Sequence, residues 1–182
     1  ESRYLLEWVA CHLLAGVDHI RVYDNESTDG TGLMLAALAE HYPVEPVYWP
    51  TIEGASPHFS ALKDGFAQLA GRYAFVAAID LDEFLFMPAG TSLGDWLRRL
   101  DPSIAAVGVN QFVFGSSGHT EYRPDLVISR FTRRKSDTDP EHLYFKSIAR
   151  PEYVLNSHVH SVELTQGRYI HCDGTDLTEP EG

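Results

Sequence analysis

With 182 residues, 44% of them hydrophobic and 12% aromatic, the chain carries enough apolar side chain for the core of one ordinary domain. Its 14 Lys and Arg against 26 Asp and Glu leave a formal charge of −12. That balance argues against broad binding to nucleic acid or to an anionic membrane, and requires any bound phosphate to be neutralised locally. The two cysteines, Cys11 and Cys172, fit neither a close-spaced zinc pattern nor a disulfide framework, so a reducing compartment is expected. No apolar run approaches the ~18 residues that a membrane span needs, and no signal peptide is seen. The chain opens on Glu1 rather than Met, so a piece of a longer chain is expected.

Residues 3–15 predict a helix. Leu5, Trp8, Val9 and His12 fall at i, i+3, i+4 and i+7, and Gly16 stands where a helix stop is expected. His19 to Asp24 predict a short strand, and the loop from Asn25 to Thr31 is dense in turn formers. A helix over about 32–41, ended by Pro43, precedes a strand from Val44 to Trp49. A further helix is expected from about His58 to Ala70, stopped by Gly71.

The stretch from Ala74 to Phe86 then runs almost without a break from apolar residues through Asp80, Asp82 and Glu83 into apolar residues again. Such a run predicts a strand buried on both faces, as in a parallel sheet covered by helices. Residues i and i+2 of an extended chain point the same way, so Asp80 and Asp82 could share one cation while Leu81 turns into the core. Two hard oxygen donors suit Mg²⁺ or Mn²⁺ better than zinc. Three adjacent acids repel one another unless a cation neutralises them, which favours a shared cation over the plainer reading of a capped strand end.

Ser92 is the expected N-cap of a helix through Leu100. Strands are expected over 105–114, 125–133 and 142–150, with a flexible turn at 115–119, a mobile polar segment at 135–141 and a last strand at 169–172. The α-β-α-β-α-β-α order followed by strands predicts a three-layer α/β fold with a mixed sheet in a single domain, 1–182. Three groups fall at strand ends. Asp24 and its loop either cap the next helix or hold a nucleotide's base and ribose. Asp80 and Asp82 form the second group. His158 and His160, at i and i+2, are either structural or contribute one metal ligand. Lys146, among apolar neighbours, either snorkels to solvent or reaches a diphosphate, and the basic run Arg130, Arg133, Arg134 and Lys135 reads as a solvated edge strand.

Five ordered stretches carry a resemblance: Glu1 to Trp8, Asp24 to Thr31, Ile79 to Phe84, Phe114 to His119, and Lys146-Ser147-Ile148. Together the chain resembles a glycosyltransferase family 2-like domain of the GT-A fold, close to the family 92 type. The resemblance implies a three-layer α/β/α nucleotide-diphospho-sugar transferase fold whose first strand would precede Glu1. It implies a metal-dependent transferase that moves a hexose-like sugar from a nucleotide donor, a UDP-sugar, to a glycan or other hydroxyl acceptor with inversion. Carried over residue by residue, Asp80 and Asp82 would hold Mn²⁺ or Mg²⁺ on the diphosphate, with His160 or His158 as a late ligand. Asp24, Asn25, Ser27, Asp29, Asp80 and Lys146 would lie by the nucleotide sugar. His119 and Glu121, beyond a central strand, are the candidates for the base that deprotonates the acceptor. Placement in the cytoplasm or on the cytoplasmic face of a membrane is expected, with no nucleic-acid partner.

Two other readings compete. The apolar run into Asp-Glu also resembles a P-loop ATPase element, but no Gly-x-x-x-x-Gly-Lys-Ser/Thr loop exists in the chain. A catalytically silent nucleotide- or sugar-binding module of the same fold would bind without turnover.

Overall fold

The computed structural model describes residues 2–177, which fall in two compact units. Unit 1 takes Glu1–Leu69 and Ile79–Pro102, and unit 2 takes Ala70–Ala78 and Ser103–Gly182. Both mix helix and strand, as the element order predicts. Glu1, the first residue of the opening motif, lies outside the described residues, and no helix among them is long and apolar enough to cross a membrane.

Unit 1 begins with helix α1, Ser2–Ala15, whose buried residues are Leu5, Trp8, Val9 and His12. That is the face its spacing predicts. The helix ends at Gly16, φ 95°, where Gly16 N–H donates to Leu13 O (3.1 Å) and Val17 N–H to His12 O (3.0 Å). This bond pair needs a left-handed residue, and glycine takes that conformation without penalty. Strands β1, Ile20–Asp24, and β2, Val44–Tyr48, pair in parallel with Ile20 opposite Val44. Helix α2, Thr31–Ala39, joins them, and helix α3, Pro57–Leu69, follows. Leu5, Trp8, Val9, Ile20, Leu35, Leu38 and Val44 make one buried cluster, against which Ile79, Leu81 and Phe84 pack. Leu81 thus turns inward as expected.

His12 is 1% exposed and fully hydrogen-bonded. Its Nδ1–H donates to Trp8 O (2.8 Å) and its Nε2 accepts from Leu85 N–H (3.2 Å). An Nε2 that accepts a backbone N–H must be unprotonated, so this is the neutral ring.

The acidic stretch corrects its expectation. Only Val76–Ala77 form a strand, β3, and both are half-buried; β3 pairs antiparallel with β5 (Phe145–Ala149), not as a parallel strand. The register ends there because the carbonyls further on bond elsewhere: Asp80 O accepts from Glu83 N–H (3.1 Å) and from the Trp8 indole (3.1 Å). Unit 1 closes with helix α4, Leu93–Arg98, where Ser92 Oγ accepts from Asp95 N–H (3.1 Å) as the cap predicts.

In unit 2, β4 (Ile104–Asn110) is buried along its first five residues and pairs antiparallel with β5. On its other side β8 (Arg168–His171) runs parallel, giving a mixed sheet of order β3-β5-β4-β8. β8 is approached through Gly167, φ +86°, where an added Cβ would stand 2.5 Å from Ala105 Cβ, so no side chain fits. Two strands with no forecast, β6 (Val154–Ser157) and β7 (Val162–Leu164), pair as a separate antiparallel hairpin. The strand expected over 125–133 is instead a short helix, α5, Val127–Arg130, begun where Leu126 O accepts Ser129 Oγ–H (2.8 Å) and Arg130 N–H (3.1 Å). The expected basic edge strand fails with it, although Arg133 and Arg134 are exposed as expected. Arg130 is 6% exposed, its guanidinium 4.9 Å from the Phe131 ring centre. The polar segment 135–141 carries the Lys135–Glu141 ion pair (2.5 Å) and leads into a turn capped by Asp139.

Burial holds the His12 pKa below its ordinary value, with the Trp8 carbonyl bond opposing it in part. The folded state therefore prefers the neutral ring, while the unfolded chain binds a proton near pH 6.5. The stabilisation is complete above that pH and is lost as pH falls below it, since the unfolded state then binds more protons. The urea midpoint is expected to fall between about pH 7.5 and 5.5 more steeply in the wild type than in His12→Gln, which removes this titration. Parallel pH slopes for the two proteins would contradict it.

Candidate functional site

In unit 1 the carboxylates sit on a closed turn rather than on a strand. Glu83 N–H donates to Asp80 O (3.1 Å), and Asp80 N–H donates to Glu83 Oε2 (3.0 Å). One Glu83 carboxylate oxygen thereby closes the turn on the backbone. Asp82 is exposed and Asp80 half-buried. The same-face argument for i and i+2 presupposes extended backbone and does not apply here.

The neighbour of Asp80 is His58, which the sequence did not single out. Its Nε2 lies 3.5 Å from Asp80 Oδ1. His58 occupies the first turn of α3, and two ties to the β1–β2 pair place that helix. Tyr23 Oη–H donates to Asp64 Oδ2 (2.7 Å), and Trp49 Nε1–H donates to Ser60 Oγ (3.0 Å). Burial, with the bond to Asp64, pushes the Tyr23 phenol up to about 12, so it remains a donor. No local pattern links positions 58 and 80; only the packing of α3 brings them together.

The loop after β1 is tied by its own bonds. Asp24 Oδ1 accepts from Ser27 N–H (3.0 Å), and Asn25 Nδ2–H donates to Trp49 O (2.7 Å). Asp29 accepts from Ser2 N–H (3.0 Å) and from both Thr31 N–H (3.2 Å) and Thr31 Oγ1–H (2.6 Å). Asp29 therefore serves the starts of α1 and α2, the plainer of the two readings for this loop. Asp24 Oδ2 faces the bare Cα of Gly32, where an added Cβ would lie 3.2 Å away.

Unit 2 carries the remaining candidates. His158 and His160 occupy the bend between β6 and β7, not an extended strand. His158 Nε2 lies 2.9 Å from Glu163 Oε1, and that bond is the first cause holding the Glu163 carboxyl below its usual range. His160 is different, for its Nδ1 is buried without a hydrogen-bond partner among the described residues. The bend is docked on β5. Lys146 Nζ donates to Val159 O (3.1 Å), and Ser147 Oγ donates to His160 O (2.7 Å). Lys146 is 6% exposed, so it does not snorkel to solvent. Ser147 Oγ also bonds Tyr169 Oη, whose pKa burial raises to about 12. His119 Nε2–H donates to Arg130 O (3.2 Å), a bond that selects the tautomer whose Nδ1 accepts a proton. Glu121 is exposed in a bend.

The described residues thus form an α/β protein with mixed sheets, carrying an acidic turn and a self-bonded polar loop on one unit. The family model for glycosyltransferase family 92 matches residues 1–179, and the chain belongs to that family. A glycosyltransferase family 92 protein of Oryza sativa subsp. japonica is 32% identical over 181 residues, covering 93% of this chain and 29% of that protein. One from Ricinus communis is 32% identical over 186 residues, covering 95% and 32%. One from Arabidopsis thaliana is 29% identical over 185 residues, covering 92% and 30%. The chain spans less than a third of the length of these curated relatives.

Ser147→Ala would leave both the His160 carbonyl and the Tyr169 hydroxyl short of a buried partner. A loss of about 1–3 kcal/mol is expected, read by urea denaturation, together with a shift of the His160 ring resonances. An unchanged His160 spectrum would mean that the bend does not depend on β5.

Proposed function

We propose that this chain is the donor-binding part of a metal-dependent glycosyltransferase of the GT-A type. It would transfer a hexose-like sugar from a nucleotide diphosphate, a UDP-sugar, to a glycan or other hydroxyl acceptor, with inversion. Membership of a glycosyltransferase family carries the reading, and the Asp80–Asp82 turn beside His58 is the local feature that supports it.

The donor chemistry fits Mg²⁺ or Mn²⁺. Among the described residues no three His, Cys, Asp or Glu side chains converge as a metal-binding group. Mg²⁺ commonly takes only one or two carboxylates, leaving the other positions to phosphate oxygens and water. Asp80 and Asp82 would be those carboxylates, and His58 would orient Asp80 or add a nitrogen donor. Of the two tail histidines in unit 2, His160 keeps an Nδ1 without a partner among the described residues, whereas His158 is engaged by Glu163. A metal held by Asp80 and Asp82 would offset the charge that develops on the departing nucleoside diphosphate. Asp24, Asn25 and Ser27 would bound the nucleotide's ribose and base. His119, whose Nδ1 is left free to accept by the bond from Nε2 to Arg130 O, would be the base, with the exposed Glu121 as the second candidate. Lys146, buried on the Val159 carbonyl, would act by fixing the histidine bend rather than by touching phosphate.

UDP and Mn²⁺ are expected to bind cooperatively, each strengthening the other by the same factor. Asp80→Asn and Asp82→Asn should abolish this coupling while leaving the thermal midpoint without metal near that of the wild type. Calorimetric titration of UDP with and without Mn²⁺ measures it. Equal UDP affinity in the wild type and both variants, with Mn²⁺ present, would refute the metal role.

A further inference from the structure

Trp8 belongs to the buried face of α1 and is 6% exposed, yet its one polar atom serves the acidic turn. The indole Nε1–H is shared between Glu83 O (2.8 Å) and Asp80 O (3.1 Å). A donor shared by two carbonyls three residues apart fixes the spacing of those carbonyls and the peptide planes that hold them. Asp80 and Asp82 leave the backbone within that turn, so the direction of their carboxylates depends on those planes. The next turn of α1 adds a second hold. His12 accepts the Leu85 N–H and donates to Trp8 O, and the Trp8 and His12 rings lie 4.3 Å apart. Two buried side chains of one helix thereby grip the segment at residues 80, 83 and 85.

Resting on the glycosyltransferase reading above, we infer that Trp8 is a positioning residue for metal-diphosphate binding. Its N–H, rather than its ring volume, holds the acidic turn in the form that presents Asp80 and Asp82. A packing role alone would need the bicyclic ring and would be indifferent to the nitrogen.

The test replaces the N–H while keeping the shape. Trp8→Phe is compared with a chain carrying benzothienylalanine at position 8, which retains a bicyclic ring but has sulfur in place of N–H. UDP affinity with Mn²⁺ is measured by calorimetry, and backbone exchange at Glu83 and Leu85 by hydrogen–deuterium exchange. The benzothienylalanine chain should keep its thermal midpoint within a few degrees, while its Mn²⁺-dependent UDP affinity falls at least about tenfold. Its Glu83 amide should exchange about tenfold faster, with amides of β1 unchanged. Wild-type affinity in that chain, or wild-type exchange at Glu83, would overturn the role of the N–H. Loss of UDP binding in Asp80→Asn alongside full binding in both position-8 chains would overturn this inference and leave the metal reading intact. A wild-type chain that binds no UDP with Mn²⁺ would remove the metal reading and this role together.

Discussion

A buried indole N–H must find an acceptor, because a donor left dry and unpaired costs about 1–3 kcal/mol. In unit 1 the acceptors are the carbonyls of Asp80 and Glu83, and much of the local architecture follows from that pairing. It draws the segment after β3 onto α1 and ends any continuation of the strand. It also seats Ile79, Leu81 and Phe84 against the cluster of Leu5, Trp8 and Val9. Asp82 is left exposed beside this contact, and Asp80 half-buried. An apolar helix face thus determines how the acidic turn is seated.

The same arrangement recurs in unit 2 with different groups. There the docked element is the bend bearing His158 and His160, and the anchors are Lys146 and Ser147 on β5. In both cases a buried side chain binds backbone carbonyls of an irregular segment and leaves that segment's own side chains to other partners. Lys146 is the costlier anchor, because an ammonium removed from water needs good acceptors in return. Its place in a strand buried along its whole length makes it part of the framework under the bend.

How much of this could be read from the chain depended on whether the signal was local. The face of α1, its stop at Gly16 and the Ser92 cap are written in spacings of three and four residues, and each was legible. So was the last strand, although it begins at Arg168 rather than Tyr169. The acidic stretch misled because an apolar run suits a strand or a core-facing turn equally well, and only the distant Trp8 decides between them. Residues 125–133 misled because Ser129 closes a helical turn that β-branched neighbours disguise. The β6–β7 hairpin lacks both strong alternation and a Gly-bearing two-residue turn, the usual markers. At the candidate site, Asp80 and Asp82 were legible as a motif, whereas His58 was not, since its nearness to Asp80 comes entirely from the packing of α3.

The parallel pairing of β8 with β4, entered through Gly167, also sets an order on the chain's birth. The segments of unit 1 described above have all been synthesised by Pro102, while translation of unit 2 continues. Unit 2 has to wait. β4 and β5 can zip together once Ala149 emerges, but the flank of β4 that β8 covers stays open until residues 168–171 leave the ribosome. An uncovered strand edge is a template for pairing with other chains. A nascent chain that stalls in the twenty or so residues after β5 would therefore expose the most apolar strand of unit 2 along one side. The glycine that admits β8 so closely to Ala105 lets the finished sheet shut that edge against intermolecular pairing.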